Sequence, residues 1–389
     1  MRVLHFYKTS FPDTMGGTEQ VINQIARGAN KLGVKTDVLS LTPDRVARTV
    51  EINGYLAHRA RMDIQIASTS ISASAFLRFY QLAKKADVIH YHFPWPFMDV
   101  VHFATRMKKP TVVTYHSDII RQKYLLRLYR PLMRKFLASV DRVVATSPNY
   151  LATSDVLANL SDKVSVIPIG LDKATYPQPT PIQLEYWREK LGPKFFLFVG
   201  VIRYYKGLHI LLEAAQGTDY PIAIVGAGPI EQELKVQAAR LGLRNIHFLG
   251  HLPDEDKVAL LTLCYGVVFP SHLRSEAFGI SLLEGAMYSK PMISSEIGTG
   301  TTFINIGDET GLVVPPSNAE ALRQAMRYLW EHPKQAADMG RRAEERYWKH
   351  FTAEQMVKSY VGLYQDLVKI GGDTTQNTRS LSKSSKYCP

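Results

Sequence analysis

The chain has 389 residues, 46% of them hydrophobic and 21% charged, with a net charge of +12. That length is too great for one ordinary core and implies two domains, and the balance is that of a folded globular chain. Two distant cysteines, Cys264 and Cys388, make neither a disulfide framework nor a metal cluster, so a reducing compartment is expected. The charge is uneven: residues 1–170 hold 23 Lys and Arg against 12 Asp and Glu, and the remainder holds 24 against 23. An anionic surface or ligand for the first half follows. Nucleic acid would suit the charge, but no nucleic-acid motif is present.

Met1 to Tyr7 reads as a first strand rather than a signal peptide, and no stretch approaches the ~20 apolar residues of a spanning helix. A cytoplasmic protein, or one peripheral to a membrane, is expected. Val21, Ile22, Ile25, Ala26 and Ala29 recur at helical spacing, and Gly33 ends that helix before a strand over 34–41. This βαβ opening lacks a G-x-G-x-x-G, although Gly16-Gly17 before the helix allows close approach of a ligand or forms a plain turn. Residues 42–75 read as short strands and loops. A helix over 76–85 leads to a strand ending at His92, and a helix over 99–107 to a strand ending at His116.

Ile119 to Leu137 carries six basic residues and no acidic one, interleaved with aliphatic and aromatic side chains; Pro131 is expected to kink or restart the helix. Such a helix can lie on an anionic bilayer through Arg127, Arg130, Arg134 and Lys135, or it can pack on a sheet with its charges in water. The polar, proline-containing stretch from Lys173 is the linker candidate, taken as 173–190 between domains of 1–172 and 191–350.

Beyond it, apolar strands alternate with helices. Phe195 to Gly200 is a strand, and the following loop holds Arg203, Lys206 and Gly207, a set suited to phosphate. Strands over 221–225, 245–249, 265–269, 291–295 and 311–316 follow, with a glycine loop at 226–228, which predicts a second parallel sheet. The strand ending at Pro270 opens onto Ser271 to Glu284, SHLRSEAFGISLLE, with a helix starting near Gly279. Glu276 on the loop and Glu284 just over a turn into the helix fall within reach of one extended ligand, and the free amides at the helix start favour a diphosphate. Two ordinary surface glutamates are the alternative. Residues 335–369 read as helical with Tyr347, Trp348 and Phe351 as apolar anchors, and the Ser/Thr/Lys-rich stretch 371–389 as a disordered tail.

Glu276 and Glu284 with seven residues between, Arg203 to Gly207, the loop at 226–228 and Gly16-Gly17 together resemble the retaining glycosyltransferases of family 4, over roughly residues 1–370. The resemblance implies the α/β GT-B fold, two Rossmann-like parallel-sheet domains facing a central cleft, with acceptor bound by the first and nucleotide sugar by the second. The nearest likeness is to bacterial mannosyltransferases of O-antigen or exopolysaccharide assembly that use GDP-mannose. It further implies that Glu276 contacts donor-sugar hydroxyls and Glu284 the nucleotide ribose. The amides around Phe278, Gly279 and Ile280 would hold the diphosphate, and Lys206 would neutralise it. Gly226 would line the nucleotide-sugar site, Gly16 and Gly17 the diphosphate and acceptor side, and His116 would lie near the transferred sugar. The remaining implications are no metal and no cofactor, an undecaprenyl-diphosphate-linked saccharide acceptor, residues 351–370 crossing back to the first domain, and the inner face of the bacterial inner membrane as the place of work. One departure stands out. The arginine that often follows the strand-ending glycine is Val201 here, and Arg203 lies two residues later. A UDP-sugar transferase and a non-catalytic membrane-bound scaffold are the competing readings.

Overall fold

The structure, a computed structural model, describes residues 1–14, 16–44, 48–66, 69–119 and 123–384; of 123, 124 and 371–384 it describes the backbone alone. Its contacts divide the chain into two units. The first holds residues 1–146, 155–170 and 353–389, and the second 147–154 and 171–352.

The strands of the first unit are β1 (Arg2–Phe6), β2 (Lys35–Thr42), β3 (Arg48–Ile52), β4 (Tyr55–Arg61), β5 (Ile64–Ile66), β6 (Thr69–Ile71), β7 (Val88–Phe93), β8 (Thr111–Tyr115), β9 (Arg142–Ala145) and β10 (Val164–Val166). Eight of them form one sheet in the order β10-β9-β8-β7-β1-β2-β4-β3. All neighbours are parallel except β3 with β4, and β5 pairs with β6 apart. Every residue of β7 and β8 is buried, as expected where helices cover both faces of a parallel sheet. The helix Gly17–Lys31 buries Val21, Ile22, Ile25, Ala26 and Ala29 on one stripe. Gly28 lets this helix approach the last one closely: a Cβ there would stand 2.5 Å from Cγ2 of Val357.

The second unit has six parallel strands: β11 (Phe196–Val199), β12 (Ile222–Val225), β13 (Ile246–Gly250), β14 (Gly266–Phe269), β15 (Met292–Ser295) and β16 (Gly311–Val314), in the order β13-β12-β11-β14-β15-β16. The chain starts in the middle, builds outward to β13, then returns to add β14 beside β11. Strand order therefore reverses between β11 and β14, and in open α/β sheets ligands bind just beyond the strand ends at such a point. In the first sheet the corresponding reversal lies between β1 and β7.

Three expectations need correction. Residues 173–190 are not a linker. They group with the second unit and end in the helix Pro181–Leu191, where Thr180 and Gln183 form a capping box and Trp187 donates to Asp256 at 2.8 Å. Proline reads as a breaker, yet Pro181 takes the first helical position, where its missing N–H costs nothing. Residues 147–154 also leave the first unit: Asn149 donates to Thr302 and Arg274 to Thr153, at 3.2 and 2.8 Å. The final helix, Ala353–Ser384, runs on past Gly371, since propagation of an established helix adds one hydrogen bond per residue; residues 385–389 of the expected tail lie outside the described residues. Of the three aromatic anchors, Tyr347 and Phe351 are buried, whereas Trp348 is half exposed.

Candidate active site

The second unit gathers three loops at the carboxyl ends of β11, β12 and β14. The loop after β11 closes in a 3-10 turn, Tyr204–Lys206. Ile202 N–H donates to Ala227 O in the loop after β12 at 3.0 Å, and His272 N–H, in the loop after β14, donates to Tyr205 O at 3.0 Å. Their approach demands glycine. Gly226 has φ +132°, and a Cβ on it would sit 2.0 Å from Gly200 O. Gly279, φ +99°, ends the loop after β14 and begins the helix Ile280–Met287 without a capping side chain.

Lys206 and Glu276 form a buried ion pair at the reversal point, each side chain 11% exposed. Ser271 Oγ donates to the same Glu276 oxygen at 3.2 Å. Burial acts to lower the Lys206 ammonium, but the Glu276 carboxylate outweighs it and holds the group above its ordinary range, so it is charged at neutral pH. Arg203 is exposed beside it, and its charge opposes that of Lys206. Glu284 is buried on the helix, where Tyr176 O–H donates to it at 3.0 Å and Lys257 Nζ stands at 3.2 Å. Burial lowers Lys257, and Glu284 with Asp254 more than offsets this. Phe278 is buried, so it offers a ligand its backbone rather than its ring. The result is a fixed ammonium and an uncapped helix start beside a hydrogen-bonded carboxylate, an arrangement that can hold a diphosphate and orient hydroxyl groups.

Thus Arg203, Lys206, Gly226, Glu276, Phe278, Gly279, Ile280 and Glu284 all belong to one end of one sheet. Gly16, Gly17 and His116 lie in the first unit. Gly16 caps the helix Gly17–Lys31, but the carboxylate of Glu19 folds over that start: a Cβ on Gly16 would meet Glu19 Oε2 at 2.5 Å. Thr9 and Thr14 hold Glu19 by hydrogen bonds of 2.7 and 3.0 Å. An anion there would face a like charge. His116 follows β8, half-buried, with its Nε2 3.0 Å from Nδ1 of His92. Three imidazoles, His5, His90 and His92, bring a nitrogen each within 4.8 Å of one another and are the candidate metal ligands among the described residues.

The basic segment forms an uninterrupted helix, Lys123–Ser139, through Pro131, and residues 120–122 lie outside the described residues. Arg127, Arg130, Arg134 and Lys135 are exposed, as are Leu125 and Leu128, at 51% and 81%. Phe136, Met133 and Leu137 belong to the core, so Phe136 is unavailable for insertion. Among the described residues, no helix is long and apolar enough to cross a membrane.

Sequence reasoning missed Lys257 and Tyr176, because each acts through a fold contact and neither carries a motif; it included Ser271 in the loop leading to Glu284 but gave it no role. It also missed His5, which reads as one more residue of an apolar strand.

The model of the family described as Glycosyl transferases group 1 matches residues 181–346, and that described as Glycosyltransferase Family 4 matches residues 15–175. A D-rhamnosyltransferase, WbpZ of Pseudomonas aeruginosa, is 67% identical over 353 residues, 91% of this chain and 93% of the relative. The chain belongs to the family 4 glycosyltransferases. The O-antigen chain mannosyltransferase C of Escherichia coli is 49% identical to this glycosyltransferase, over 95% of the chain and 99% of the relative. Among solved structures, a sucrose-phosphate synthase of Thermosynechococcus elongatus superposes with a TM-score of 0.79 at 20% identity, covering 95% of this glycosyltransferase and 99% of that chain. Anabaena HepE, solved with UDP and glucose, gives 0.74 at 19% identity, covering 93% and 99%. Those likenesses establish the α/β GT-B fold of two Rossmann-like domains.

Proposed function

We propose that this glycosyltransferase is a retaining hexosyltransferase of O-antigen polysaccharide synthesis. It transfers D-rhamnose from its GDP-linked donor to a lipid-linked saccharide. The observation that carries the donor side is the buried Lys206–Glu276 pair beside the uncapped helix start at Gly279. The choice of sugar is supported by the similar D-rhamnosyltransferase and mannosyltransferase. D-Rhamnose is mannose without its C6 hydroxyl, so the 67% and 49% identical relatives act on one ring configuration. The second of them favours GDP-mannose as the alternative donor.

In this reading the diphosphate takes the Lys206 ammonium and the amides of Ile280 and Ser281. Arg203 approaches from the solvent side. As the sugar–phosphate bond breaks, negative charge grows on the leaving phosphate, where these fixed donors stabilise it. Glu276 accepts hydroxyl hydrogens of the sugar and Glu284 those of the ribose. The carboxylate of Glu19 makes the Gly16–Gly17 start a poor place for the diphosphate, so that role goes to the second unit alone. Hydrolases that retain configuration use two close carboxylates, one as a nucleophile. Here Glu276 is occupied by Lys206 and Ser271, which favours a same-face displacement in which the leaving phosphate takes the acceptor proton. No metal enters this scheme. The exposed Arg127, Arg130, Arg134 and Lys135, with Leu125 and Leu128, would hold the enzyme on the anionic cytoplasmic leaflet.

The test is a donor panel of GDP-D-rhamnose, GDP-mannose and UDP-hexoses with a lipid-linked saccharide acceptor in excess EDTA, read by product mass. A deoxyhexose increment is expected. A product formed only from a UDP donor would overturn the assignment of the base.

A further inference from the structure

The imidazoles at the reversal point of the first sheet have no part in the scheme above. His5 in β1 pairs in register with His90 in β7, and His92 with Thr114 in β8, so period-2 alternation sets all their side chains on one face with His116. His5 Nδ1 lies 3.0 Å from His92 Nε2, and His92 Nδ1 lies 3.0 Å from His116 Nε2. His5 and His92 are fully buried. His90 is tied off separately, with Nδ1 2.7 Å from Tyr364 O–H and Nε2 2.7 Å from Thr114 Oγ1. Burial pushes His5 and His116 down to about 3 and His92 well below its ordinary value, so the chain of rings is neutral at physiological pH.

A neutral imidazole has one N–H and one lone pair. Two bonds through three such rings leave two arrangements. In one, His5 Nδ1–H donates to His92, His92 Nδ1–H donates to His116, and His116 keeps a free Nδ1–H. In the other every proton moves to Nε2. The end of the row decides between them. Among the described residues, His5 Nε2 is buried with no partner. The second arrangement would strand an N–H donor there and the first only a lone pair; orphaned buried N–H groups are the rarer defect. A metal bound by His5, His90 and His92 competes poorly. Their rings stack, His90 on His92 at 4.4 Å and 29°, and both nitrogens of His90 and His92 are already bonded.

We propose that His5 and His92 are positioning residues that lock His116 in the Nδ1–H tautomer, so that it presents one hydrogen-bond donor to a saccharide oxygen. His116 Nδ1 has no partner among the described residues. The saccharide half of this inference rests on the chain transferring sugar; the tautomer half does not.

The test is two-bond ¹H–¹⁵N spectroscopy of protein labelled at histidine, beside kinetics of His92→Phe, which keeps a ring in the stack but no nitrogen. His116 is expected in one tautomer protonated at Nδ1, and in His92→Phe as a mixture. The variant is expected to lose about tenfold in kcat, the worth of about one hydrogen bond, with the donor KM within about twofold. His92→Asn serves in the same way if the phenylalanine variant does not fold. His116 protonated at Nε2, an unchanged His116 in both variants, or one equivalent of zinc in the purified protein would overturn the lock. Unchanged kcat with a broken lock would overturn the positioning role. A parent protein that consumes no nucleotide sugar would instead overturn the reading of the enzyme, leaving the tautomer result to stand by itself.

Discussion

Replacing Lys206 separates the stability of the ion pair from its chemistry. Lys206 and Glu276 are both buried, and Ser271 is the other hydrogen-bond partner of the shared oxygen. Lys206→Met keeps the apolar stem near the Phe269 ring but leaves a buried carboxylate unpaired. Breaking one side of a buried pair costs about 3 kcal/mol or more. In a unit of this size that is a fall in Tm of roughly 6–12 °C. Adding Glu276→Gln removes the orphaned charge, and the double variant should recover most of the lost Tm. Turnover should not recover: loss of a contact made to developing charge costs on the order of 10²-fold in kcat. The assays are thermal melts and donor consumption at saturating donor. A double variant no more stable than Lys206→Met would refute the coupling, and near-parent kcat in Lys206→Met would refute the diphosphate role.

Glu284→Ala should weaken binding of free GDP by about tenfold in titration calorimetry while raising the mobility of Lys257, which loses its buried partner; unchanged GDP affinity would remove Glu284 from the nucleotide site. The depressed pKa values of His5, His90, His92 and His116 make stability fall as pH drops below about 6.5, where the unfolded state gains protons that the folded state refuses. A melting temperature constant from pH 7 to pH 5 would contradict the buried neutral row. Replacing Arg127, Arg130, Arg134 and Lys135 together by Ser should reduce co-sedimentation with anionic vesicles, as high salt should in the parent, and leave hydrolysis of the donor near the parent rate; unchanged sedimentation would make this an ordinary solvated helix.

The alternation of apolar runs with helical periodicity made both sheets legible, because strands buried on both faces carry a continuous Val, Ile and Phe signal. The loop from Ser271 to Glu284 was legible for a related reason. Its glycine, its two carboxylates and the strand before it are local, and topology alone puts such a loop at a ligand. What stayed hidden depended on distance along the chain. No local pattern reveals that Lys257 and Tyr176 converge on Glu284 from 27 and 108 positions away, or that residues 147–154 belong with the second unit. The stretch 173–190 misled because proline marks a linker and a helix start alike. His5 was invisible because a buried histidine in an apolar strand differs from a valine only through partners 85 and 87 residues later.

The most direct measurement is a crystal structure of the enzyme with GDP bound. The diphosphate oxygens should lie within hydrogen-bond distance of Lys206 Nζ and the amides of Ile280 and Ser281, with the ribose hydroxyls on Glu284. A diphosphate seated instead on the Gly16–Gly17 helix start, with Lys206 still held by Glu276 alone, would contradict the assignment of the donor site.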